Sequence, residues 1–515
     1  MPSPSTTLER VKAGPRPAEI GFGGRFVLAA SLGSVLNPVN SSMIAIALVS
    51  IGRDLRVGTS TTTWLVAALY LATSVGQPTM GKLADQLGAR RVYLAGLAMV
   101  ALGGALGLHG AGLAQLIVAR VVIGLGTSAA YPAAIAMVRR QSERLNRPAP
   151  GSVLGALATA GQTTMAVGPL LGGLLLAVGG WHAIFLVNIP LAALGAVFAL
   201  LWLPRDEPAA ARPGADASQG TRIWRRLDPV GLALFAAGLT ALLLFLMTPT
   251  RPNWLCLAAA AVLLTALTLW ERRCATPFID VRMLVSDRAL TRTYLRYAIA
   301  FVGVYGIIYG WTQWLEQGAG RSASAAGLLL TPAFVVAAVL SMLGSRNKAV
   351  FVPLVVGTAA MALGSLLLLT LHSTSPTWEL LAANVVFGVP TGLTVVGNQS
   401  AMYAQAPGER IGAASGLLRT AGYLGAILST SLISATFGQR ATDAGLHRFA
   451  VALTVLSVLL LALTVADPSI RTRIRSRVAQ GTDTRAGGDR FARTEAPVTG
   501  PIRADVTKTA ARPHD

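Results

Sequence analysis

The chain has 515 residues, 53% hydrophobic and only 13% charged, with a net charge of +21 and a mean hydropathy of +0.58. A soluble domain usually carries about a quarter charged residues, so this balance excludes one and points to a chain that crosses a membrane many times. The alternating pattern of a membrane β-barrel is missing, and the basic residues sit in alternate connections rather than in one patch for nucleic acid.

Apolar runs of about 20 residues cross a ~30 Å hydrocarbon core as helices. About fourteen occur, over residues 26–51, 61–80, 92–110, 114–138, 152–178, 183–203, 229–249, 254–270, 289–315, 323–344, 350–371, 377–402, 411–437 and 446–466. The leading segment is polar and basic, and the run behind it is too long for a signal core, so no cleavable signal is expected. Arg and Lys gather in the two tails and after the even-numbered runs, the series continuing into the start of the ninth with Arg292 and Arg296. The positive-inside rule then puts both termini in the cytoplasm of a cell inner membrane.

The expected organisation is all-α, two six-helix bundles with a two-helix insertion. Residues 1–24 form a cytoplasmic tail and 25–205 the first bundle. Residues 206–275 carry a linker with the two additional spans, 276–467 the second bundle, and 468–515 an Arg-rich disordered tail. Ala119-Arg-Val-Val-Ile-Gly-Leu-Gly-Thr127 and Ala383-Asn-Val-Val-Phe-Gly-Val-Pro-Thr391 match in register, the trace of a parallel repeat. The two cysteines, Cys256 and Cys274, make no disulfide framework, and the five histidines have no ligand spacing. No metal and no cofactor is expected. Without a nucleotide loop or a Ser/His/Asp arrangement, no enzyme activity is expected either.

Between the second and third runs lies Gly81-Lys-Leu-Ala-Asp85-Gln-Leu-Gly88-Ala-Arg90-Arg91, far more charge than a tight connector needs. It resembles the loop signature of the major facilitator superfamily, Gly-x-x-x-Asp-x-x-Gly-x-Arg-Arg/Lys. The resemblance implies that Asp85, with Arg90 or Arg91, latches the two halves in one state, while Gly81 and Gly88 permit close approach and a tight turn. Arg120, inside the fourth run, is similar to the arginine of a second superfamily motif implicated in proton transfer, with Ile123 where that motif has Gln. An arginine at that depth faces a cavity or partner, or snorkels to the interface.

Gly168-Pro169-Leu-Leu-Gly172-Gly173 resembles the antiporter motif of exporters, where Pro bends the helix and the glycines admit a neighbour. Trp181-x-x-x-Phe185-x-x-Asn188-x-Pro190, Asp228-Pro-Val-Gly231 and Ala326-Gly-Leu-Leu-Leu-Thr-Pro332 look like the fourteen-span drug:proton antiporter branch, so the likeness covers roughly 25–467. That branch usually has an acid in the first span; here Asn40 stands at its position and cannot titrate. Glu316 stands where the branch commonly has Gln, and it or Arg419 is a further coupling candidate beside Arg120. For Glu316 the favoured reading is a wetted interfacial carboxylate, with cation or proton binding as the alternative.

Asn40, Gln77, Gln162, Tyr305, Tyr309, Gln313, Asn398 and Gln399 are candidates to line a largely apolar cavity for amphipathic ligands, together with Trp64 and Tyr70. The expectation is a monomeric transporter in the lipid bilayer that moves a small-molecule substrate, with protons as coupling ion and export as direction. Uptake or differently coupled efflux is the competing transport reading; a non-transporting receptor or scaffold is the competitor outside transport. Asn40 makes the energy source the open point.

Overall fold

The computed structural model describes residues 22–145, 151–206, 228–247, 252–274, 277–278, 284, 286–346, 350–406 and 411–470. Most of both expected tails, and residues 207–227 of the linker, lie outside them. By internal contacts the chain divides into two units, Met1–Ala466 and Asp467–Asp515. In the second, the Asp467 carboxylate accepts from the backbone N–H and the hydroxyl of Ser469.

Every described regular element is helical. In chain order they are α1 Gly24–Asp54, α2 Thr59–Leu87, α3 Ala89–Leu108, α4 Leu113–Leu145, α5 Gly151–Gly179, α6 His182–Leu186 and α7 Asn188–Trp202. There follow α8 Pro229–Leu246, α9 Trp254–Glu271 and α10 Arg288–Gly306, the last continued by a π-helical segment Ile307–Trp311 and α11 Thr312–Gln317. The chain then forms α12 Ala323–Arg346, α13 Phe351–Leu367, α14 Thr377–Gln405, α15 Ile411–Phe437 and α16 Asp443–Ala466.

By length and composition, 11 helical segments among the described residues are suited to cross a membrane. Helix α2 is not one of them: it opens on Thr59, Ser60, Thr61, Thr62 and Thr63 and ends with Lys82 and Asp85. Helix α13 has 17 residues. Two expected runs are not plain α-helices. The run at 183–203 breaks at Val187 into α6 and α7, and the run at 289–315 widens at Ile307–Trp311, a deformation that frequently marks functional sites.

Helix α1 is buried on every side from Val39 to Val49, as expected of a helix surrounded by others. The same pairings occur in each half. In the first, α1 packs on α5, α2 on α4, α3 on α4 and α3 on α7; in the second, α10 packs on α15, α12 on α14, α13 on α14 and α13 on α16. The halves meet along α2 with α15 and α5 with α12, again a symmetric pair. The weak sequence repeat has a physical cause here. A Cβ on Gly124 would lie 2.7 Å from the Leu69 carbonyl of α2, and one on Gly388 would meet the Ala333 carbonyl of α12. The shared glycine lets the fourth helix of each half touch the second.

Helices α8 and α9 pair through Gly238 and Leu264, leave Trp254, Leu255 and Val262 exposed, and set Phe235 and Leu239 against Leu71 and Val75 of α2 and Leu424 of α15. Their base explains Asp228-Pro-Val-Gly231. The Asp228 carboxylate accepts from Gly231 N (3.0 Å) and Trp270 Nε1 (2.8 Å), and a Cβ on Gly231 would collide with it and with Glu271. Cys256 and Cys274 are free thiols.

In α5 the exporter-like motif packs on both sides. Gly168 and Gly172 meet Ser42 and Met43 of α1, whereas Gly173 meets Ser324 and the Pro169 carbonyl meets Gly327 of α12. A Cβ on Gly172 would stand 2.9 Å from the Met43 carbonyl, a backbone atom with little room to yield. Gly172→Val is therefore expected to cost about 1–3 kcal/mol by overpacking and to lower the detergent melting temperature by several degrees; an unchanged melt would refute this packing.

Candidate functional site

The two halves meet in mid-bundle through tyrosines. Tyr70 of α2 lies 4.9 Å from Tyr305 and 5.6 Å from Tyr423 between ring centroids, the latter stacked. Its hydroxyl donates to that of Tyr309 at 3.0 Å, and Tyr309 donates to the Ser41 carbonyl of α1 at 2.8 Å. Phe301 and Tyr297 extend the row along α10. Nearby, the Arg419 guanidinium lies 3.5 Å over the Tyr131 ring, a second cross-half contact of cation–π type. The seam thus joins α1, α2 and α4 to α10 and α15 through flat, amphipathic side chains that suit aromatic or amphipathic ligands.

Beside it lies Arg120, 1% exposed. Its Nε donates to the Leu65 carbonyl at 3.1 Å and its Nη1 to the Asn40 carbonyl at 3.3 Å, tying α4 to α2 and α1; Nη2 has no partner among the described residues. Arg120 is therefore internal and does not snorkel. The Asn40 amide donates to Asn188 Oδ1 at 2.6 Å and to the Leu36 carbonyl at 3.0 Å. A neutral amide pair thus joins α1 to α7 where the branch's acid would stand. Trp181, from the same motif as Asn188, donates from Nε1 to Asp54 at 2.7 Å.

The end of the bundle opposite Gly88 is closed by bonds between the halves. Thr59 N donates to the Gln439 carbonyl at 3.0 Å and Ser60 N to that of Gly438 at 2.8 Å. Gln317 Oε1 accepts from Thr59 Oγ1 at 2.9 Å and from Ala441 N at 2.8 Å, and Ser324 Oγ donates to the Gly173 carbonyl at 3.2 Å.

At the Gly88 end the charges pair differently from the expectation. Asp85 Oδ1 meets Arg139 at 2.8 Å, both half-exposed, instead of Arg90 or Arg91. Those two residues give their backbone N–H groups to Asp206, at 3.2 and 2.9 Å. Arg140 bridges the clusters, with Nη2 on the Ala84 and Asp85 carbonyls and Nη1 3.4 Å from Asp206. All of these partners belong to the first half or, for Asp206, to the chain directly after it. Gly88 is required twice, by its φ of 115° and because a side chain would strike Asp206. Gly81 is not, since a Cβ there finds only ordinary contact with Pro132 at 3.6 Å. Lys82 reaches the Pro277 carbonyl at 3.0 Å.

Of the other candidates, Gln77, Gln313, Tyr305, Tyr309, Asn398 and Glu316 are all buried, Gln399 is half-buried, and the Gln162 side chain lies outside the described residues. Asn398 Oδ1 accepts from Arg296 Nε at 2.8 Å. Arg296 was expected among the topology-setting charges, but it is buried in the bundle. Glu316 is buried as well. Sequence reasoning missed Asp206, Arg296, Tyr131 and Tyr423; only Arg296 carried a usable signal, a charge about two turns inside an apolar run. No group of three or more His, Cys, Asp or Glu among the described residues is placed to hold a metal.

Two pseudo-symmetric helical halves meeting along a mid-bundle seam define a membrane protein built on a parallel repeat. Residues 30–430 match the Major Facilitator Superfamily family model, and the chain belongs to that family. It is 32% identical to the uncharacterized MFS-type transporter YwoD of Bacillus subtilis, over 81% of this chain and 91% of that one. It is 30% identical to the multidrug resistance protein Stp of Mycobacterium tuberculosis (79% and 74% covered) and 29% to the tetracenomycin C resistance and export protein of Streptomyces glaucescens (81% and 76%). Among solved structures, one from work on proton dependent oligopeptide transporters superposes with a TM-score of 0.63 at 14% identity, covering 88% of this chain and 100% of that one. That likeness shows the fold.

Proposed function

We propose that the protein is a fourteen-span, monomeric exporter of amphipathic drugs or metabolites, driven by proton antiport. The Gly88 end faces the cytoplasm and the closed end faces outward. The reading rests chiefly on the tyrosine seam. It joins the halves in mid-bundle, with Arg120 on one side and Arg419 on the other, beneath an end sealed by backbone bonds between the halves. The resistance and export proteins among its relatives support the export direction, as does an α5 motif wedged between α1 and α12. Substrate enters from the cytoplasm, lies against the tyrosines and leaves when the Thr59–Gln439 seam parts.

Asn40 favours a second reading, efflux or uptake without proton coupling. Proteoliposomes loaded with a fluorescent amphipathic dye separate the two. A gradient of about one pH unit, acid outside, stores ~1.4 kcal/mol per proton, enough for a roughly tenfold dye gradient at one-to-one exchange. Antiport predicts accelerated uphill efflux that a protonophore abolishes. Dye movement indifferent to the gradient would leave the uncoupled reading.

A further inference from the structure

We propose that Glu316 is the proton-binding site of the transport cycle, taking over at the outer end of α11 the task that Asn40 cannot perform. This rests on the antiport reading above and names its carrier. Three observations support it. Glu316 is 5% exposed, and its Oε1 has no hydrogen-bond partner among the described residues. Gln313, one turn before it, is fully buried with neither amide atom partnered, and the Trp311 Nε1 is likewise unpartnered. Natural proteins leave few buried polar groups unsatisfied, so three such side chains within two turns make an unusual polar cluster. Third, the cluster sits in the right place. Going along the chain, Tyr309 holds Ser41 of α1 in mid-bundle, and Gln317 holds Thr59 and Ala441 in the outer seal. Glu316 and Gln313 lie between, at the end of a helix loosened by the π-helical segment.

The charges around the site do not neutralise it. From α1, Arg53 acts on Glu316 without reaching ion-pair distance among the described residues, and Asp54 is engaged by Trp181. Helix α12 brings no charge before Arg346, at its far end. In the flanking connections, Arg440 turns to the Gln317 carbonyl, Asp443 to Trp314 and Ser373, and Arg56 lines an outer cleft with Arg53 and Gln317. Arg321 follows α11 in the chain, its Nε unpartnered. An ionised, unpaired carboxylate costs several kcal/mol to bury. Closing the outer end is therefore linked to proton binding at Glu316, and losing that proton toward the cytoplasm favours reopening outward. This is the sequence an antiporter needs: the proton travels inward with the empty carrier, and substrate travels outward with Glu316 ionised.

The test uses the full chain in proteoliposomes, as wild type, Glu316→Gln and Glu316→Asp, with the dye as probe. Two quantities are read: dye and proton flux under an acid-outside gradient, and dye exchange without a gradient as a function of pH. Glu316→Gln is expected to lose gradient-driven efflux and dye-dependent proton flux, while exchange persists with a flat pH profile. Glu316→Asp is expected to stay coupled with a shifted pH midpoint. A coupled Glu316→Gln variant beside a coupled wild type overturns the assignment and leaves antiport standing. A wild type indifferent to the gradient overturns antiport itself. Loss of exchange in a monodisperse Glu316→Gln protein overturns the proton role in favour of substrate contact. Should that variant not fold, an Asp variant with the wild-type pH midpoint is likewise fatal to the proposal.

Discussion

Arg120→Leu is expected to slow uphill transport severely while leaving the protein as stable as the wild type or more so. The arginine is 1% exposed and no carboxylate among the described residues forms an ion pair with it. Burying such a charge costs several kcal/mol, and replacing buried ionic groups by apolar ones of similar volume is often neutral or stabilising. The two carbonyls it would release, of Leu65 and Asn40, lie within helices α2 and α1, so neither is orphaned. What disappears is the charge-assisted link that holds α4 to both α1 and α2 beside the Tyr70–Tyr309 contact. Transport should fall about ten- to a hundredfold, the span of a typical coupling free energy between sites. Arg120→Lys keeps the charge but not the planar fork and should recover only part of the rate. Dye efflux and a melting curve on the same preparations check both halves of the statement. A Leu variant that pumps normally removes Arg120 from the mechanism, and one that melts far earlier makes it a structural residue.

The features legible in the sequence are those set by local chemistry. Membrane-length runs, the turn at Gly88 and the small residues of α5 each follow from one short segment. The repeat was also visible, because Gly124 and Gly388 solve the same close-approach problem between the second and fourth helices of each half. The pairings could not be read this way. Nothing local says that Asn40 meets Asn188, or that Tyr70 closes on Tyr305 and Tyr423, since these contacts depend on how helices distant in the chain come together. Asp206 falls at the start of the linker, where nothing singles it out, and Arg296 counts among the topology charges. Burial separates them from their neighbours, and charge counting is blind to burial. Gly81 erred in the other direction, since the motif suggested a steric need that its surroundings do not impose.

The same blindness reverses the ranking of the two acids at the Gly88 end. Asp85 belongs to the family signature, yet its contact with Arg139 joins side chains 50% and 59% exposed, and exposed pairs contribute only about 0–1 kcal/mol. Asp206, whose side chain is 6% exposed, receives the first backbone N–H groups of α3, which has no side-chain cap of its own at Gly88. Asp206→Ala leaves those donors and Arg140 Nη1 without their acceptor, at about 1–3 kcal/mol. It should therefore lower the melting temperature by several degrees, where Asp85→Asn leaves it nearly unchanged. Transport should rank the other way. Asp85 has an exposed carboxylate and a weak tie to its own half, so it is free to change partners when the cytoplasmic mouth closes, and Asp85→Asn should cripple efflux in a well-folded protein. If Asp206→Ala melts like the wild type while Asp85→Asn melts early, the division of labour is wrong. If Asp85→Asn folds and exports dye at the normal rate, the acid of the signature plays no part in the gate.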